Sequence, residues 1–104
     1  MTNYIEFDII KLLNRKRGTK MPVISSFYGI IIRMNWNEHN PPHLHAEYQN
    51  YKAVFNFDGK LTDGEMSTRH QKLIVAWIEI HQDELIANWS LMREGDYFKI
   101  DPLR

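Results

Sequence analysis

Three runs decide the fold class: Tyr28-Gly29-Ile30-Ile31-Ile32-Arg33-Met34-Asn35-Trp36, then His43-Leu44-His45-Ala46-Glu47-Tyr48-Gln49, then Lys52-Ala53-Val54-Phe55-Asn56-Phe57. β-Branched and aromatic residues crowd them, and apolar and polar residues alternate along each, which predicts strands with one face buried. Side chains two apart share a face. Ile30, Ile32, Met34, Trp36, Leu44, Ala46, Tyr48, Ala53, Phe55 and Phe57 therefore form the inner face. Arg33, Asn35, His43, His45, Glu47, Lys52 and Asn56 form the outer one. Asn37 to Pro42 reads as a loop, because Asn40-Pro41-Pro42 interrupts both helix and ladder. Asn50-Tyr51 and Asp58-Gly59 read as tight connections, and Lys60 to Met66 as a short edge strand broken near Gly64.

Downstream, no Gly or Pro occurs from Ser67 to Glu94. Ile74, Ile78, Leu85, Trp89 and Met92 trace one helical stripe, flanked by Leu73, Trp77 and Ile80. Thr68 and Gln71 have capping-box spacing, and Gly95 is a stop. The expectation is an α+β domain: a small antiparallel sheet of three or four strands packed on a long C-terminal helix. The polar stretch His81-Gln82-Asp83 leaves open a division into two helices. The tail, with Tyr97, Phe98 and Ile100, is expected to dock as a strand. Upstream, Ile5, Ile9 and Leu12/Leu13 predict a short N-terminal helix ending in the basic run Arg15, Lys16, Arg17 and Lys20. Residues 1–20 read as an extension and 21–104 as a single domain.

A chain of 104 residues fits one core. Thirteen basic and thirteen acidic residues cancel, so no global field draws in nucleic acid or an anionic membrane. The chain has no cysteine, which excludes disulfides, a thiolate nucleophile and a Cys-based zinc site. No run approaches a membrane span or a signal peptide, so the expectation is a cytoplasmic protein without a membrane partner.

Chemistry concentrates at His39-Asn40-Pro41-Pro42-His43-Leu44-His45. His43 and His45 share a face, and three readings compete. The imidazoles could anchor the loop by bonding backbone groups beside Pro41 and Pro42. They could act as base and acid in metal-independent RNA cleavage, with Arg33 or Lys52 as the cation that stabilises the phosphorane. Arg15, Lys16, Arg17 and Lys20 would then hold phosphate, and Trp36 would offer a stacking platform. Or the histidines could hold a metal with a third ligand from His39, Glu38 or Glu47. The RNA reading invokes no cofactor. His70 and His81 read as surface or cap residues, and Trp77 and Trp89 as core.

Residues 21–103 resemble a bacterial family known as domain-of-unknown-function family 4160. The matching residues are Ile24-Ser25-Ser26-Phe27-Tyr28-Gly29-Ile30, Asn40-Pro41-Pro42-His43-Leu44-His45, Trp77 to Leu85, and Asn88-Trp89. The resemblance implies a small prokaryotic protein often encoded beside another small protein, sometimes labelled a regulator or toxin–antitoxin component. It supplies no catalytic residue. The order helix, three strands, helix is also similar in topology to double-stranded-RNA-binding domains and to HicA toxins. The function expected is thus a toxin–antitoxin-type or regulatory protein acting on RNA or DNA. The alternatives are a non-catalytic module that binds a cognate small protein, and a histidine-based metal-binding protein. Edge strands leave a homodimer open.

Overall fold

The computed structural model describes residues 21–104. The N-terminal helix expected at Asn3–Arg15, and the cations Arg15, Lys16, Arg17 and Lys20, lie outside the described residues. Five antiparallel strands follow in chain order: β1 (Val23–Phe27), β2 (Ile30–Arg33), β3 (His43–Tyr48), β4 (Tyr51–Asn56) and β5 (Leu61–Gly64), lying side by side in the order β1-β2-β3-β4-β5. Two helices complete the domain, α1 (Thr68–Ile80) and α2 (Gln82–Arg93).

The sheet has more strands than the three or four expected, because the Tyr28–Trp36 run is not one strand. Tyr28 and Gly29 both have positive φ and make a two-residue turn, and Phe27 pairs with Ile30 across it. Primed turns of this kind match the twist of a hairpin. β1 escapes a period-two reading because its register slips between Val23 and Ser25. Such a bulge turns consecutive residues inward, so Ile24, Ser25 and Phe27 are all buried. β2 stops at Arg33, and Met34 to Pro42 forms the loop. The β3–β4 turn is Gln49-Asn50, one residue earlier than expected.

The faces divide as the alternation requires. Ile30, Ile32, Met34, Leu44, Ala46, Ala53, Phe55 and Phe57 enter the core with Ile74, Trp77, Ile78, Leu85, Trp89 and Met92. On the opposite face the pairing sets Arg33 beside His45 and His45 beside Val54, with Glu47 next to Lys52 in the adjacent row.

The long helix resolves into two at His81, whose φ of −110° and ψ of 29° leave the helical region. Asp83 and Glu84 then occupy the first turn of α2, where negative charge suits the helix N-terminus. Gln82 pins the elbow by donating to the carbonyls of Phe57 and Ile78. The cap of α1 is Ser67, one residue before the expected Thr68: its hydroxyl accepts from the His70 N–H at 3.2 Å. Gln71 bonds the Met66 carbonyl instead of closing a capping box.

The tail forms no strand but is held at three points. Ile100 N–H donates to Ile24 O at 2.9 Å, Phe98 N–H to Asn88 Oδ1 at 2.9 Å, and Trp77 Nε1–H to Asp101 O at 2.8 Å. Asn88, fully buried, is thus satisfied by the tail and by a contact to Met34 Sδ.

Gly64 marks a close approach on the edge strand. Its φ is +79°, and a Cβ there would lie 2.2 Å from the Lys52 carbonyl oxygen. Gly64→Ala is expected to destabilise the domain by about 2 kcal/mol, through left-handed strain and displacement of β4. A urea melt checks this, and an unchanged midpoint would refute it.

Candidate metal centre at the start of the third strand

The loop after β2 folds back so that Glu38 faces the first residues of β3. His43 and His45 leave β3 on the same side, their ring centroids 5.3 Å apart and nearly edge-to-face. Both Nε2 atoms address one oxygen, Glu38 Oε2: His43 in direct hydrogen-bond contact and His45 at 3.3 Å. One donor atom from each of Glu38, His43 and His45 lies within 4.8 Å of the other two. The side chains retain 19% (His43), 25% (His45) and 24% (Glu38) of their exposure, so solvent and ions reach them.

Each member is oriented from outside the cluster. His43 Nδ1 lies 2.9 Å from the Pro41 carbonyl, which can only accept, so Nδ1 carries the proton and donates it. Trp89 of α2 stands against the same ring at 5.4 Å between centroids, and Phe57 meets Trp89 edge-on. Asn35 Nδ2–H donates to Glu38 Oε1 at 3.2 Å, while Asn35 Oδ1 accepts the Trp36 N–H at 2.9 Å. That second bond fixes which end of the amide faces the carboxylate. Burial opposes ionisation of Glu38. Hydrogen bonds from His43, Asn35 and His45, with the charge of His43, outweigh it and hold the carboxyl below its ordinary value.

The other sequence candidates stand elsewhere. Arg33 donates through Nε to Glu47 Oε2 at 3.0 Å and through Nη1 to the Met21 carbonyl at 2.7 Å, so its charge and Glu47's are engaged with each other. Glu47 is therefore not the third member, and His39 is exposed and outside the cluster. Of the three residues weighed beside the two histidines, Glu38 is the one that stands with them. Lys52 is exposed beside Glu47. Trp36 is half-buried, edge-on to Tyr97 at 5.6 Å, which makes it part of the packing more than a bare platform. Asn35 and Trp89 were not singled out as site neighbours. Asn35 reads in sequence as a strand residue, and Trp89 is set beside His43 only by tertiary packing.

Fold and cluster together define a small two-layer α+β domain that carries two histidines and a carboxylate at one end of a five-stranded meander. The chain belongs to the family described as Domain of unknown function (DUF4160), which matches residues 29–90 and so spans the whole cluster. No curated protein sequence matches the chain, and no solved structure does. Among the described residues, no helix is long and apolar enough to cross a membrane.

Proposed function

We propose that this domain binds a divalent transition-metal ion through Glu38 Oε2, His43 Nε2 and His45 Nε2. The observation that carries the reading is the convergence of three Lewis-basic atoms within 4.8 Å. The Pro41 carbonyl holds a proton of His43 on Nδ1, so whenever the ring gives up its second proton it is an Nε2 lone pair that faces the carboxylate oxygen. Such a lone pair and the carboxylate repel one another unless something positive lies between them. A proton on the ring relieves this in the arrangement seen, and a dication in its place would join all three donors at once. The supporting bonds Pro41–His43 and Asn35–Glu38 are of the kind that orient metal ligands. Imidazole and carboxylate donors without thiolate suit zinc and its neighbours. Two donors each about 2.1 Å from a tetrahedral ion lie about 3.4 Å apart. The 3.3 Å between His45 and Glu38 already meets that spacing. A small rotation of the Glu38 carboxylate opens the same spacing to His43.

The test is the metal content of untagged protein equilibrated with buffered zinc and then desalted. One zinc per chain, removed by chelator, is the expected result. Content at background level after equilibration would defeat the reading. Asn35→Ala, which frees the far oxygen of Glu38, is expected to weaken zinc about tenfold while leaving the melting curve of chelator-treated protein within about 1 kcal/mol of wild type. A titration against a competing chelator measures this, and unchanged affinity would count against the positioning role.

RNA cleavage by the same two histidines requires a free cation beside the phosphate: Arg33 is committed to Glu47 and Met21, which leaves the exposed Lys52 to supply it. Incubation with total RNA with and without chelator separates the readings: cleavage that persists in chelator and is lost in His45→Ala would favour metal-free acid–base chemistry.

A further inference from the structure

We infer that the metal centre leaves one coordination position open, and that this position takes an exogenous small oxyanion, a carboxylate or phosphate oxygen, in exchange for water. The inference rests on the metal-binding reading above.

Zinc in protein sites takes four ligands when structural and three plus an exchangeable one when reactive. The described residues bring together three donors. Among the described residues, the polar groups that adjoin the cluster through its hydrogen bonds or the strand pairing are engaged elsewhere. Asn35 turns its amide nitrogen, which cannot ligate, toward Glu38, and its oxygen accepts from Trp36. Asn56, paired with His43 across the strands, uses Oδ1 to accept the N–H groups of Asp58 and Lys60, both at 3.0 Å. The Glu47 carboxylate holds Arg33, and the Pro41 carbonyl takes the His43 Nδ1 proton. With no fourth donor among these groups of the described residues, the position is open to solution, and the partial exposure of all three side chains gives a ligand a way in.

Charge selects its chemistry. Two neutral imidazoles and one carboxylate leave a dication with one net positive charge. Among the described residues, no further acid joins the three donors to cancel it. A hard anionic oxygen is favoured over a neutral or cationic ligand at such a centre. Carboxylate and phosphate both satisfy this, and the cluster does not distinguish them.

Cobalt(II) replaces zinc in such sites and reports coordination through its visible absorption bands. The cobalt-loaded full-length protein is titrated with sodium acetate and, separately, with inorganic phosphate, at ionic strength held constant with perchlorate. The expected result is a saturable band shift fitting one anion per cobalt, with no shift from perchlorate alone. A response to both anions supports a general oxyanion site, and a response to phosphate alone narrows it to phosphoryl groups. A cobalt spectrum that zinc displaces but neither anion alters would overturn the open position while leaving metal binding intact. Failure of cobalt and zinc to bind at all would overturn both.

Discussion

Zinc at about one hundred times its dissociation constant is expected to stabilise the domain by up to about 2.7 kcal/mol, and His45→Ala to erase that gain. His45 supplies one of three donors, and its ring lies on the outer face of β3, clear of the core that Leu44 and Ala46 enter. Truncation therefore removes a ligand and leaves the packing intact. Losing an orienting neighbour of a ligand costs 10–100-fold in affinity, so losing a ligand is expected to cost at least about 100-fold. The variant's melting point in chelator should match wild type, and added zinc should not raise it. If His45→Ala gained as much from zinc as wild type, the ion would be binding elsewhere. His43→Ala is a less clean companion, because its ring also packs on Trp89 and bonds Pro41.

Trp77→Ala is expected to have the largest effect on folding, a loss of about 3–5 kcal/mol. The indole is fully buried between the sheet and α1, tilted against Phe27 at 5.4 Å between centroids. Its Nε1–H clamps the Asp101 carbonyl, so the same substitution frees the tail from one of its three attachments. Domains of this size have only about 5–15 kcal/mol in total, so the variant should approach marginal stability. Trp77→Phe keeps much of the ring and drops the hydrogen bond, so most of the stability should return. Urea titration of both variants is the measurement. A loss below about 1.5 kcal/mol for Trp77→Ala would mean that the site collapses around the cavity, and that the indole does not hold sheet, helix and tail together.

Legibility from sequence followed the physics of each element. β3 and β4 were readable because one face of each is buried and the alternation is clean: Leu44 and Ala46 against His43 and His45, Ala53 and Phe55 against Lys52 and Val54. The same reading put His43 and His45 on one side of the sheet. β1 was not readable, because the bulge between Val23 and Ser25 breaks the period on which such a reading rests. The Tyr28-Gly29 turn was hidden because its flanks are strongly β-forming on both sides. The elbow at His81 was visible as a polar interruption, but nothing local decides between a bend and a continuous helix. What decides it is tertiary, the bond from Gln82 to the Phe57 carbonyl. The third member of the cluster could not be chosen from His39, Glu38 and Glu47 by spacing. Glu47 is removed by Arg33 on the neighbouring strand, and Glu38 is brought in by the path of the loop.

All three donors come from one short stretch: Glu38 precedes His43 by five positions and His45 by seven. Bringing together groups so near along the chain costs little loop-closure entropy even in a denatured polypeptide. The denatured ensemble is therefore expected to retain part of the affinity for zinc, and the stabilisation seen in a melt will fall short of the value computed from native binding alone. A synthetic peptide covering residues 34–48 should capture the ion weakly by itself. The difference between its affinity and the intact domain's measures what the surrounding architecture adds by holding those donors in place.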